Sequence, residues 1–186
     1  MKPLTIGNST LRWGTRTYVM GILNITPDSF SGDGLLAGGE VLSAALELGR
    51  RFLASGADLL DIGGESTRPG SQPVEAEEEL RRVLPVIRAL ASEFPQALIS
   101  IDTYKAAVAA QALQAGARLI NDVWGLRADP QLAGVAGRNR IPVVLMHNRS
   151  KPANAQVQER LGVHLWASAA RKSIVPTFMG NAPRVW

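Results

Sequence analysis

The sequence predicts an α/β fold of repeated βαβ units, and three observations carry that expectation. Five short apolar runs recur between residues 18 and 147, amphipathic or alanine-rich segments separate them, and polar side chains follow every run. Near-continuous apolar runs are what parallel strands need when both sheet faces are covered. Strand, helix, strand in repetition implies right-handed crossovers and a parallel sheet.

The strands are expected at Tyr18–Asn24, Ala57–Ile62, Ala97–Asp102, Ala117–Asp122 and Ile141–His147. Leu42, Ala45, Leu46, Gly49 and Leu53 recur at three- and four-residue spacing, and the "SGA" from Ser55 supplies a glycine stop for that helix. The next helix opens with "EAEEE" and continues "LRRVLPVIRAL". Its acidic first turn suits the positive end of the helix dipole, Glu77/Arg81 and Glu78/Arg82 are spaced for ion pairs, and Pro85 should kink it. Lys105–Ala115 reads as a third helix ending at Gly116, and Pro130–Gly137 as a short fourth. A doubly wound sheet and a (β/α)8 barrel both fit this rhythm, the barrel taking roughly 30 residues per unit.

Composition narrows the partners. At 186 residues, with 46% hydrophobic and 19% charged residues, the chain can bury one substantial core. No apolar run reaches the ~20 residues of a membrane span, and no signal peptide is visible, so neither a membrane nor export is expected. Cysteine is absent, which removes disulfides and thiolate metal sites and suits the cytoplasm. The net charge of +4 comes from scattered arginines with only 5% aromatics, so binding of a small anion is the expectation rather than nucleic acid.

The polar segments after the five strands read "NITPDSFSGDG", "DIGGESTRPGS", "DTYK", "NDVWG" and "MHNRS", whereas the opposite connections, such as "SGA" and "QAGA", are bland. In a barrel such asymmetry marks the functional rim. Taken singly, Asp61, Asp102, Asn24 and the Asn121–Asp122 pair have a plainer reading as strand-end turn caps. Thr67 and Arg68 taken as a lone pair read as solvated loop, Gly63 and Gly64 as backbone geometry, and His147 as a poor metal ligand without a second histidine nearby. Five polar coincidences on one rim favour a shared site. No phosphate-binding loop, dinucleotide fingerprint or nucleophile elbow is present. Buried Asp and Asn are instead suited to the donor–acceptor edge of a flat heterocycle, and loop Arg and hydroxyls to an anion.

"MGILNITPDSFSGDG", "DIGGESTRPGS", "SIDTYK", "GARLINDVWGL" and "VVLMHNRS" together resemble the dihydropteroate synthases, pterin-binding (β/α)8 enzymes of folate biosynthesis, over about residues 1–161. The resemblance implies condensation of a hydroxymethyl-dihydropterin diphosphate with p-aminobenzoate. The C–O bond to diphosphate breaks early, the arylamine attacks the cationic methylene, and Mg2+ assists the leaving group. By the same resemblance Asn24 would bear on the Mg2+–diphosphate end. Asp102 and Asn121 would hold the pterin edge with Asp61 beneath, and Met146 would line the substrate site. Thr67 and Arg68 would close beside p-aminobenzoate and diphosphate, and Asp28–Asp33 would move with them. Sensitivity to sulfonamides and a family homodimer are also implied.

Two stretches depart from the family. The acid and glycines after "DSFS" are placed differently, and no "DPG.GFGK"-like segment, with its Asp, Lys, Arg and His partners, occurs. Residues 162–186, "GVHLWASAARKSIVPTFMGNAPRVW", hold no acid and lack a βα rhythm. The expectation is therefore a partial pterin-binding barrel over 1–161, about five βα units, followed by a tail that is not native barrel sequence. Such a chain should be poorly stable alone and much reduced in activity. A pterin-binding fragment needing a complementing chain, and a pterin-dependent methyltransferase, are the alternative readings.

Overall fold

The structure, a computed structural model, describes residues 2–26, 38–66, 72–147 and 177–179. Five parallel strands, β3 (Met20–Asn24), β4 (Leu59–Gly63), β5 (Leu98–Asp102), β6 (Leu119–Asp122) and β7 (Val143–Leu145), lie side by side in chain order. Helices α1 (Gly38–Ala54), α2 (Ala76–Glu93), α3 (Ala106–Ala115) and α4 (Leu132–Asn139) follow the first four of them. Sequential order in a parallel sheet is how a (β/α)8 barrel begins, so the expected α/β class and its barrel-like progression both hold. Thr177–Met179 forms β8, which pairs antiparallel with β7 and was not expected.

Alternation along the strands divides the sheet. Leu60, Ile62, Ile99, Ile101, Ile120 and Val143 face the helices and join one core with Val83, Val86, Ile87 and Leu90 of α2 and Val108, Ala109 and Ala112 of α3. The α2 set, at i, i+3, i+4 and i+7, is one helical stripe. On the other face Leu59, Leu98, Leu119 and Val144 form a second cluster. It is covered by an N-terminal hairpin, β1 (Leu4–Ile6) and β2 (Ser9–Leu11), which contributes Ile6 and Leu11. This hairpin was not expected, although two alternating triplets around Gly7–Asn8 are its usual signature.

Local chemistry sets the helix ends. After α1, Ala57 N–H donates to Phe52 O at 2.9 Å and Gly56 N–H to Leu53 O at 3.0 Å. After α3, Ala117 N–H donates to Ala112 O at 3.0 Å and Gly116 N–H to Leu113 O at 3.3 Å. Both are Schellman closures. The fourth helix starts two residues later than expected and ends the same way, but with Arg140 in the left-handed position at φ 52°. Helix α2 continues through Pro85. Glu78 pairs with both Arg81 and Arg82, so the expected Glu77/Arg81 pair is replaced by an i,i+3 contact. Asp129, in the loop before α4, accepts from Ala106 N–H at 2.8 Å and so caps α3 from outside. No helix among the described residues is long and apolar enough to cross a membrane.

The α3 stop is the tightest of these features. Gly116 sits at φ 128°, and a β-carbon there would lie 2.6 Å from Ala91 Cβ on α2. Gly116→Ala should therefore cost about 1–2 kcal/mol in urea unfolding, from backbone strain and the α2 contact together. An unchanged midpoint and slope would contradict this packing.

Candidate functional site

The strand register places the expected residues in rows. Asn24, Gly63, Asp102 and Asn121 are successive partners across β3, β4, β5 and β6. One layer below run Ile22, Asp61, Ser100 and Leu119. Because these positions alternate with the helix-facing aliphatics, both rows belong to the face opposite α1–α4, at the carboxyl ends of the strands. Met146 lies two residues beyond Val144, on the same alternation, and its N–H donates to Asp122 O at 3.2 Å. The register thus brings Asn24, Asp61, Asp102 and Asn121 to one rim of the sheet. Thr67, Arg68 and the Asp28–Asp33 loop lie outside the described residues.

The rows are joined chemically. Asn121 Nδ2 donates to Asp61 Oδ2 at 2.8 Å, reaching across β5. Gly63 makes the space above. A β-carbon there would sit 3.4 Å from Asn24 Oδ1 and 3.6 Å from Asp102 Oδ2, so those two side chains flank an opening that only glycine leaves. Asp61 is 2% exposed and Ser100 fully buried. Asp61 Oδ1 and Ser100 Oγ sit beside each other without meeting hydrogen-bond geometry, and each lacks a partner among the described residues. Buried polar atoms left in this state are costly unless something else satisfies them.

Electrostatics follow from the crowding. Burial raises the Asp61 pKa, against the opposing pull of Ser100 and Asn121. Asp102 is pushed well above the usual carboxylate range, first by burial and then by the charges of Asp61, Glu79, Asp122 and Glu65. Its carboxylate has no hydrogen-bond partner among the described residues, so the strand-end cap reading fails for it. That reading holds instead for Asp122, which points the other way and accepts from Trp124 N–H at 2.8 Å and Leu126 N–H at 2.5 Å. Burial raises the pKa of Asp122 too, against those two N–H groups.

Sequence reasoning passed over Ser100, Glu65, Glu79, Tyr104 and Lys105. Lys105 Nζ pairs with both Glu65 and Glu79, and Tyr104 OH donates to Glu65 Oε1 at 3.1 Å. The available signal was an acid in "ESTRPG" and a lysine in "DTYK" at the exits of neighbouring strands. Among the described residues no cluster of three or more His, Cys, Asp or Glu is arranged to hold a metal. Asn24, exposed at the rim, offers a single amide oxygen. That donor fits a magnesium ion held mainly by water and a substrate's phosphates, not one held in a protein cage.

A family model described as pterin binding enzyme matches residues 20–173. A dihydropteroate synthase of Clostridium beijerinckii is 47% identical over 156 residues, covering 84% of this chain and 56% of the relative. A Xanthomonas albilineans dihydropteroate synthase solved with 4-aminobenzoic acid superposes with a TM-score of 0.71 at 46% identity, over 82% of this chain and 53% of that one. The same species' enzyme in complex with 7,8-dihydropteroate gives a TM-score of 0.67 at 43% identity, over 82% of this chain and 52% of that one. The chain spans about half the length of the curated relatives it matches.

The pKa directions make a stability prediction. With its pKa raised, folded Asp102 holds a proton that the unfolded chain has already released, so stability falls as pH rises from the ordinary carboxylate range through the folded value. Asp102→Asn keeps the shape and removes the charge. It should raise the melting temperature near pH 8 by a few degrees, as ~1 kcal/mol does for a chain of this length, and flatten its decline with pH. An equal or lower melting temperature throughout would show that the carboxylate is not a buried, uncompensated charge.

Proposed function

The chain belongs to the pterin binding enzyme family, and from that premise we propose that its rim serves dihydropteroate synthesis. The reaction joins 6-hydroxymethyl-7,8-dihydropterin diphosphate to p-aminobenzoate, with release of diphosphate. The observation that supports this best is the Asn121–Asp61 hydrogen bond beneath Asp102, whose carboxylate has no hydrogen-bond partner among the described residues. An ionised carboxylate only accepts, so Asp61 fixes the Asn121 amide with its nitrogen inward. The amide oxygen and second N–H are thereby turned to a ligand edge that both donates and accepts. Asp102 supplies the matching acceptor for a ring N–H and an exocyclic amine. Ile22, beside Asp61 in the register and 56% exposed, offers apolar surface on the same face.

The chain's own contribution to the chemistry is then positional and electrostatic. The C–O bond to diphosphate breaks, the arylamine nitrogen forms the new bond to the methylene, and the amine proton leaves to solvent. Asp102, close to the ring, favours the positive charge that develops there as the leaving group departs. Asn24 would direct its amide oxygen to Mg2+ on the diphosphate, where the ion neutralises charge on the leaving group. Thr67 and Arg68, two and three residues past Glu65, would take the p-aminobenzoate and diphosphate side. Pterin binding without turnover is the reading to set against this one.

Titration calorimetry on the purified chain separates the two halves of the site. Asn121→Ala should weaken 6-hydroxymethylpterin by about 10- to 100-fold, the worth of one or two buried hydrogen bonds. Arg68→Ala should leave that binding within about twofold and reduce mainly the affinity added by the diphosphate. Dihydropteroate formation from the two substrates supports the synthase, and tight pterin binding without product supports the binding-only reading. Wild-type protein that binds no pterin rules out both.

A further inference from the structure

Ser100 lies in the middle of β5 with Asp61 beside it on β4, and their row continues as Ile22 on β3 and Leu119 on β6. We propose that Ser100 is a positioning residue, whose hydroxyl serves the second oxygen of Asp61 and so steadies the carboxylate that aims the Asn121 amide. What the amide then reads rests on the dihydropteroate reading above. The alignment of the three side chains rests on the chain's own contacts.

The plainest account of Ser100 is packing. The position is fully buried, and apart from Asp61 the other members of its row are aliphatic. Alanine would fill that space as well, without bringing a hydroxyl that must be satisfied. Ser100 Oγ has no hydrogen-bond partner among the described residues, and neither has Asp61 Oδ1. The first is a donor, and the second, in a carboxylate, is an acceptor. The register sets the two residues side by side, and a serine reaches its neighbour by turning a single torsion. Complementary buried groups in adjacent places point to one partnership rather than to two separate losses.

The state of Asp61 depends on its donors. Burial raises its pKa, and the hydrogen bonds of Ser100 and Asn121 oppose that rise. Its neighbours across the sheet are Ile22 from β3, Ser100 and Asp102 from β5, and Asn121 from β6, of which only Asp102 is titratable. Asn121 Nδ2 donates to Asp61 Oδ2 at 2.8 Å, a bond that lasts only while Asp61 accepts. A protonated Asp61 would instead donate to the Asn121 oxygen, and the amide would turn over. The ligand would then meet an NH2 group that donates and cannot accept. A donor at Oδ1 favours the ionised carboxylate. Ser100 therefore acts through Asp61 on what Asn121 presents, from one layer below the ligand.

Ser100→Ala in the full chain removes the hydroxyl with almost no change of volume. Calorimetry should show affinity for 6-hydroxymethylpterin reduced by about 5- to 20-fold. In an Asn121→Ala background the same substitution should leave affinity within about twofold. Nitrogen-15 NMR of the ligand-free chain should show the Asn121 amide proton that faces Asp61 moving upfield, and exchanging faster with water, in Ser100→Ala. Either an unchanged affinity or an unchanged amide signal overturns the proposal. A loss of affinity that persists without Asn121 assigns Ser100 to packing and overturns it too. If Ser100→Ala does not fold, the wild-type chain decides: the Ser100 hydroxyl proton should exchange slowly and shift as Asp61 titrates, and a rapidly exchanging hydroxyl overturns the partnership. If wild-type protein binds no pterin, the dihydropteroate reading fails, and the amide signal alone decides whether Ser100 orients Asn121.

Discussion

The arrangement depends on the pleat of five parallel strands in register. Successive side chains on a strand point to opposite faces. Leu60 and Ile62 therefore enter the helix-side core, while Asp61 and Gly63 between and beside them face the other way. The same holds for Ser100 and Asp102 against Ile99 and Ile101, and for Asn121 against Ile120. Slipping any one strand by a single residue would bury its polar set among aliphatics and turn its aliphatics to the rim. The apolar core thus enforces the alignment of Asn24, Gly63, Asp102 and Asn121.

That alignment is held at an electrostatic cost. Asp61, Asp102, Glu65 and Glu79 crowd one end of the sheet, with Lys105 as the ammonium bound by Glu65 and Glu79. Burial favours the protonated forms of Asp61, Asp102 and Glu79, with like charges adding to it at Asp102 and Glu79. Asp61 Oδ1 and Ser100 Oγ have no hydrogen-bond partner among the described residues. A fold selected only for stability would place apolar side chains here, as it does one layer lower at Leu59 and Leu98. A ligand whose edge donates hydrogen bonds to these acids would recover that cost on binding. Stability and recognition therefore pull in opposite directions at Asp102.

Much of this was legible in the sequence, and for identifiable reasons. The aliphatic runs ending in Asp102 and Asn121, and the polar segments after them, gave strand, direction and rim at once. The N-terminal hairpin was harder, because three-residue strands carry almost no periodic signal and Gly7–Asn8 was its sole clear cue. The Glu77/Arg81 expectation failed because both arginines reach Glu78, a choice made by rotamers and not by spacing. The Asn121–Asp122 pair could not be divided from sequence, since one faces the rim and the other caps its own loop. The Glu65–Lys105 contact joins residues forty apart, which only strand order brings together.

The central proposal is that the buried Asp61 and the half-buried Asp102 belong to one ligand site, and carbon-13 NMR of the aspartate carboxyls tests it most directly. In the ligand-free chain both should titrate above the ordinary aspartate value, and 6-hydroxymethylpterin should lower both by donating hydrogen bonds to their ionised forms. Ordinary titration of the two groups, or raised values that the pterin leaves untouched, would contradict the account.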